Sequence, residues 1–149
     1  LYSGTMSAAV EGAMEAIPSV GFSLMDHGIE ASFEHVRPVI RSVVRNMLER
    51  GLPGGLCLNV NVPTLERGPL KGIRACRQAR ANWEDDFERR TDPTGKEYFW
   101  LRGEFRNQDH GDDTDVWAVS NGYVSVVPVQ FDMTAHGAIS AINAWDHAL

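Results

Sequence analysis

The chain has 149 residues, of which 43% are hydrophobic and 23% are charged, as in an ordinary globular domain. Its net charge of −6 disfavours binding to a nucleic-acid duplex, because such partners select a basic surface. No apolar run approaches the roughly 20 residues of a membrane span and no signal peptide is visible, so we expect a cytoplasmic protein without membrane contact.

The first half of the chain alternates between helical and extended patterns. An alanine-rich segment over 4–16 predicts a helix with small residues on one side, and the apolar segment 18–24 predicts a short strand. Apolar residues at intervals of three and four predict a second helix over 33–50, with Pro38 in or near its first turn. Gly51 is expected to end that helix.

Two further strands are predicted over 56–62 and 71–76, and each contains one cysteine. We expect Cys57 and Cys76 to be buried thiols of a reducing compartment, because they are far apart in the sequence and lie in strands. The order strand–helix–strand with short turns predicts an α/β fold in which helices flank a mostly parallel sheet.

The middle of the chain predicts a protruding β-hairpin arm over 83–105. Its two strands, 83–90 and 97–105, flank a turn sequence rich in Asp, Pro and Gly over 91–95. The strands carry five aromatic residues among charged ones: Trp83, Phe87, Tyr98, Phe99 and Trp100. An arm of this size and aromatic content predicts packing on another subunit.

The remaining elements are a short helix over 116–121, a strand over 123–129 and a terminal helix over 136–149. An acidic loop precedes the short helix and contains Asp109, Asp112, Asp113 and Asp115. These carboxylates would suit a divalent cation, but their spacing matches no EF-hand loop. We therefore favour a solvated loop in which Asp113 or Asp115 caps the short helix.

A hydroxyl–glycine–hydroxyl sequence, Ser3-Gly4-Thr5, begins the first helix. The first N–H groups of a helix have no intrahelical acceptor and glycine lets an anion approach the backbone, so this turn is a candidate phosphate site. An ordinary N-cap, in which Ser3 accepts a hydrogen bond from the backbone, explains the same residues at least as well.

Three other sets of residues have two interpretations each. Arg74, Arg77 and Arg80 would meet a phosphate or pair with the acidic residues. The sequence Asp26-His27 follows a strand, where ligands gather in α/β proteins, but we favour a polar loop.

The third set lies within the sequence Asp132-Met133-Thr134-Ala135-His136. Thr134 is predicted to cap the terminal helix, and Asp132 is expected to accept a hydrogen bond from His136. We favour a structural hydrogen bond at a hinge before that helix. The alternative is that His136 is a general acid oriented by Asp132.

Motifs over essentially the whole chain, taken in order, resemble the SurE survival-protein family. They include Tyr2-Ser3-Gly4-Thr5, Leu58-Asn59-Val60-Asn61-Val62-Pro63, Lys71-Gly72-Ile73-Arg74, Thr114-Asp115, Gly122-Tyr123-Val124-Ser125 and Asp132-x-Thr134-Ala135-His136. The resemblance implies a Rossmann-like α/β fold with a protruding hairpin, and a C-terminal segment exchanged between subunits of a homodimer or homotetramer. Residues 130–149 would then form the oligomer hinge and terminal helix.

The resemblance also implies an activity, the removal of phosphate from nucleoside 5′(3′)-monophosphates, with short polyphosphate as a further substrate of some members. Ser3, Gly4 and Thr5 would hold the phosphate. The divalent metal, Mg²⁺ or Mn²⁺, would be bound by residues expected ahead of Leu1. Residues 1–149 would then be the C-terminal portion of a single domain, inactive alone. The alternative is a non-catalytic oligomerisation or nucleotide-binding module.

Overall fold

The computed structural model of the protein describes residues 3–26, 28–66 and 68–145. The helices are α1 (Gly4–Met14), α2 (Val36–Arg50), α3 (Asp115–Ser120) and α4 (Ile139–Asn143), the last preceded by a 3₁₀ turn over His136–Ala138. The strands are β1 (Ser19–Leu24), β2 (Leu56–Val62), β3 (Ile73–Ala75), β4 (Ala81–Thr91), β5 (Glu97–Asn107) and β6 (Val124–Gln130).

Four strands form the central sheet in the order β1-β2-β6-β3. The pairs β1–β2 and β3–β6 are parallel, and β6 runs antiparallel to β2. The predicted α/β class with a mostly parallel sheet flanked by helices is therefore confirmed.

Alternation of side chains along the strands gives the sheet two different faces. On one face, α2 packs over a valine core that includes the fully buried Val60, Val62 and Val124. On the other face, α1 packs over Cys57 and α3 packs over Cys76 and Val127. Both cysteines are free and buried as expected, and burial raises the pKa of both thiols.

The start of α2 differs from the prediction. The helix begins at Val36, three residues after the predicted start, and ends at Arg50, before Gly51, whose φ is 75°. In a helix that began at residue 33, position 38 would have to donate a hydrogen bond to Glu34, and proline has no N–H. Pro38 therefore lies in the first turn, as predicted.

Small residues bring α1 unusually close to β1. A Cβ atom at Gly12 would overlap the Ser19 hydroxyl, and one at Gly21 would lie 2.9 Å from Met6 Sδ and 3.1 Å from Thr5 Cγ2. These contacts place the end of α1 beside the start of β1 and the beginning of α1 beside Gly21. The first turn of α1 therefore points toward the carboxyl end of β1.

Strands β4 and β5 form the predicted hairpin, paired in register from Ala81–Asn107 to Thr91–Glu97. One face carries five large and exposed apolar side chains, the apolar hairpin face: Trp83, Phe87, Phe99, Leu101 and Phe105. The opposite face carries a ladder of ion pairs, in which Glu84 contacts Arg106 and Glu88 contacts Arg90 and Arg102. The first face also carries the Arg89–Glu97 ion pair, and the second carries Tyr98 and Trp100, so most but not all of the large apolar side chains lie on the first face.

The predicted terminal helix over 136–149 is wrong in its extent. The 3₁₀ turn covers His136–Ala138 and α4 covers Ile139–Asn143, after which Ala144 and Trp145 donate to the carbonyls three residues earlier. Residues 146–149 lie outside the described part. Ile139, Ile142 and Trp145 are exposed, so no apolar face of this segment is buried to extend the helix. Within the described ranges, no helix is both long enough and apolar enough to cross a bilayer.

Candidate functional site

The turn at the start of α1 is an exposed N-cap. Ser3 Oγ accepts a hydrogen bond from the Met6 backbone N–H at 3.3 Å, and the Ser3 carbonyl accepts one from Ser7 Oγ at 2.8 Å. The N-cap interpretation of Ser3 is thus confirmed. It leaves the Ser3 hydroxyl hydrogen and the N–H groups of Gly4 and Thr5 outside the intrahelical ladder. A Cβ at Gly4 would have no atom within 4 Å, so an anion has room beside the turn.

A row of polar residues crosses the sheet close to this turn. The strand registers align Ser23 with Asn61, Asn61 with Ser125, and Ser125 with Arg74. Alternation places this row on the face covered by α1 and α3, because Gly21 and Cys57 of the same strands contact α1. We call these four residues the polar row.

The polar row was not identified as a site from the sequence. The sequence does contain an indication of it, because Ser23, Asn61 and Ser125 are polar residues inside mostly apolar strands. Ser125 is fully buried, and its hydroxyl accepts a long hydrogen bond of 3.5 Å from Asn61 Nδ2. Burying a polar side chain costs desolvation free energy, so polar residues in this position are typical of a binding site.

A cavity of about 340 Å³ lies next to the polar row, between α3 and the base of the hairpin. Residues of five different segments line it, among them Met25, Asn61, Gln78, Phe105, Asp115 and Val116. Met25 directly follows β1, so the cavity lies at the carboxyl end of that strand. In open α/β sheets, ligands bind in the crevice at this end of the strands.

The acidic loop is an ion-pair cluster around Arg77. This side chain contacts Asp109 Oδ2 at 2.5 Å and Asp113 Oδ2 at 2.9 Å. Hydrogen bonds from Arg77, and then from the Gly111 N–H, hold the pKa of Asp109 well below its usual range, and Arg77 also lowers the pKa of Asp113. In the ranges 3–26, 28–66 and 68–145, no group of three or more His, Cys, Asp or Glu residues is arranged to hold a metal ion.

The predicted cap of α3 is wrong. Thr114, not Asp113 or Asp115, is the N-cap residue, and its hydroxyl accepts a hydrogen bond from the Trp117 N–H at 3.2 Å. Asp113 is held by Arg77 instead. Asp115 accepts from the Val116 N–H in the first turn of α3 and from the Ala79 N–H, both at 2.9 Å, so it satisfies one first-turn N–H without being the N-cap residue. Arg77 and Ala79 belong to the segment after β3, about 35 residues away in the sequence.

Replacement of Thr114 by Val is expected to lower the free energy of unfolding by about 1–3 kcal/mol. Valine keeps the shape of this fully buried side chain but loses the bond to Trp117 and the bond that Thr114 Oγ1 donates to the Gly111 carbonyl. Urea unfolding measures the change. Thr114→Ser is the control, because it keeps the hydroxyl, and a serine variant less stable than the valine variant would contradict the assignment.

The three arginines do not converge on one site. Arg77 is paired with acids, and the Arg74 guanidinium lies 4.9 Å from the centre of the Trp117 ring. Arg80 donates its backbone N–H to Asp109 at 3.2 Å. Asp26 accepts a hydrogen bond from the Gly28 N–H within its own loop, which fits the polar-loop interpretation, and His27 lies outside the described residues.

The contact expected between Asp132 and His136 is present. His136 Nε2 lies 2.7 Å from Asp132 Oδ2, and both side chains are exposed. Hydrogen bonds from Thr134, and then from His136, lower the pKa of Asp132 to about 2. The predicted N-cap role of Thr134 is wrong, because the 3₁₀ turn begins after Ala135 without a side-chain cap; instead the Thr134 N–H donates to Asp132.

Comparisons with known proteins bear on the whole chain. The family model described as "Survival protein SurE" matches residues 1–85. The chain is 57% identical over 146 residues to the 5′-nucleotidase SurE of Flavobacterium psychrophilum, covering 98% of this chain and 57% of that protein. It is 54% identical to the 5′-nucleotidase SurE of Christiangramia forsetii, covering 97% and 56% of the two chains.

Among solved structures, the fold matches that of the SurE protein from Aquifex aeolicus with a TM-score of 0.76 and 37% sequence identity. That match covers 95% of this chain and 57% of the other. The chain thus spans a little over half the length of the relatives that it matches. Since the sequence, the family model and the fold agree, the chain belongs to the SurE family.

Proposed function

We propose that the protein that carries this chain is a phosphomonoesterase that removes phosphate from nucleoside 5′(3′)-monophosphates. The observation that carries the proposal is the 57% identity, over nearly the whole chain, to a protein named 5′-nucleotidase SurE. We further propose short polyphosphate as a second substrate of the same site.

Within this proposal, Ser3, Gly4 and Thr5 bind the substrate phosphate. Two observations support this role. The turn offers N–H donors at the positive end of an 11-residue helix, and a Cβ at Gly4 would have no atom within 4 Å. The turn also points toward the carboxyl end of β1, where the polar row lies. Donors held in place by a helix stabilise the negative charge that develops on phosphate oxygens during transfer.

The described residues do not fit a divalent metal. Of the four acids in the loop after β5, Asp109 and Asp113 are paired with Arg77, and Asp115 accepts from backbone N–H groups. Asp112 is then the one acid left, and among the described residues no group of three or more His, Cys, Asp or Glu is arranged to hold a metal ion. The proposed requirement for Mg²⁺ or Mn²⁺ then implies that the ligands lie outside the described residues.

A phosphate-release assay tests the proposal on the protein that carries this chain and on the 149-residue chain alone. With a nucleoside monophosphate and Mg²⁺ or Mn²⁺, we expect the first to turn over and to lose activity in EDTA, and the second to be inactive. Turnover by the 149-residue chain alone would contradict the placement of the metal ligands, and inactivity of both would contradict the function.

A second role, association with further copies of the chain, is favoured by a separate observation. The apolar hairpin face exposes Phe87, Phe99 and Leu101 by 59–65% each. Large exposed apolar patches on an otherwise polar surface are typical of interaction sites. We propose a homodimer or homotetramer in which the part of this face nearer the hairpin turn, Phe87, Phe99 and Leu101, is buried, together with a C-terminal segment exchanged between subunits.

The residues Asp132, Thr134 and His136 are the proposed hinge of that segment. Replacement of His136 by Ala removes one hydrogen bond to Asp132 while the Thr134 N–H bond to the same carboxylate remains. We expect the variant to assemble less tightly, as measured by sedimentation equilibrium, with phosphate binding unchanged. A variant that assembles normally but loses turnover would support the general-acid role of His136 instead.

A further inference from the structure

The cavity beside the polar row lies within reach of the proposed phosphate turn. Gly21, which contacts the turn, is aligned with Asn59 in β2, and Asn61 is two residues further along that strand. Standard strand spacings then put Asn61 roughly 8 Å from Gly21, on the same face of the sheet. The cavity therefore begins at a distance from the turn that one nucleotide spans.

The chemistry of the cavity suits an uncharged and partly aromatic group. Phe105, from the base of the hairpin, supplies an aromatic ring that is 44% exposed. Asn61 and Gln78 supply amide groups that both donate and accept hydrogen bonds. The volume of about 340 Å³ is within the usual range for small-molecule sites.

Asp115 decides which part of a nucleotide this cavity accepts. Its carboxylate lines the cavity and already accepts hydrogen bonds from the N–H groups of Ala79 and Val116, at 2.9 Å each. A fixed negative charge repels a phosphate group. The same charge favours neutral donors, such as the hydroxyls of a ribose or the amino group of a base.

We propose that this cavity binds the nucleoside portion of the substrate, with the base against Phe105 and hydroxyl or amino donors directed at Asp115. The inference rests on the proposed function, since it divides one nucleotide between the turn at Ser3–Thr5 and the cavity. Stacking on an aromatic ring tolerates different bases, so we expect affinity for nucleosides in general from Phe105.

The test compares two substrates on variants of the protein that carries this chain. Phe105→Leu keeps the apolar bulk and removes the ring, and Phe105→Ala removes both. For a nucleoside monophosphate, we expect kcat/KM to fall by about 5- to 100-fold, mostly through KM, in proportion to the stacking that is lost. For glycerol 2-phosphate, which has neither a nucleoside nor an aromatic ring, we expect a change of less than about twofold.

Trp100→Ala is the matched control, because Trp100 lies on the same strand but on the opposite face of the hairpin, away from the cavity. It should leave the ratio of the two kcat/KM values unchanged. Equal losses for both substrates in Phe105→Leu, or no loss for either, would overturn the inference.

Calorimetry with adenosine separates this inference from the proposed function. Adenosine binding by the unmodified protein that weakens at least fivefold in Phe105→Leu supports the cavity even if neither substrate is hydrolysed. Absence of adenosine binding in a protein that hydrolyses nucleoside monophosphates would overturn the cavity and leave the phosphatase activity standing.

Discussion

Replacement of Gly4 by Asp is expected to lower phosphatase activity by about 100-fold or more, because a carboxylate would occupy the position where the phosphate binds. The same change is expected to raise the free energy of unfolding by up to about 1 kcal/mol. The gain arises because a Cβ at Gly4 meets nothing within 4 Å and an acidic residue in the first turn favours a helix. Phosphate release and thermal unfolding measure the two effects.

A loss of activity together with a gain in stability distinguishes a phosphate site from a simple N-cap. If Ser3-Gly4-Thr5 only caps α1, Gly4→Asp stabilises the helix and activity does not change. Gly4→Asn is the control of the same shape without the charge, and we expect it to retain at least tenfold more activity than Gly4→Asp. Activity of Gly4→Asp within twofold of the unmodified protein would refute the phosphate assignment.

Replacement of Phe99 by Glu is expected to weaken self-association by at least about 100-fold. Phe99 is 65% exposed on the apolar hairpin face, and its cross-strand neighbour Arg89 is already paired with Glu97. Burying an additional carboxylate in the proposed interface therefore costs several kcal/mol. Sedimentation velocity over a range of concentrations gives the association constant.

Trp100→Glu is the matched control for Phe99→Glu. The two residues are neighbours on β5, but Trp100 lies on the face of the ion-pair ladder, where it contacts Arg90. We expect its association constant to change by less than about tenfold. Equal effects of the two substitutions would show that the hairpin as a whole, and not its apolar face, determines assembly.

Local patterns were sufficient to predict most elements of this fold. The intervals of three and four along α2, the glycine after it and the turn at 91–95 all determine structure through neighbours in sequence. The helix–strand order was likewise enough to indicate a mostly parallel sheet. The late start of α2 could also be predicted from the sequence, because the missing N–H of Pro38 sets the earliest residue at which that helix can begin.

Features that depend on distant residues were missed. The polar row requires the alignment of Asn61 with Ser125, which are 64 residues apart, and no local pattern specifies that register. The acidic loop was misread as the source of a helix cap because Arg77, 36 residues before Asp113, could not be placed. Periodicity over 136–149 predicted a helix, but periodicity alone does not supply a surface against which the helix packs.

The close approach of α1 to β1 means that a residue with no functional group fixes the position of the proposed phosphate site. A methyl group at Gly21 would press on Thr5 and Met6, so Gly21→Ala would displace the turn without touching a ligand. A survey of inactive variants would therefore assign Gly21 to the site although it has no chemistry of its own. In a redesign of this protein for another phosphorylated substrate, β1 has to be held constant together with the turn.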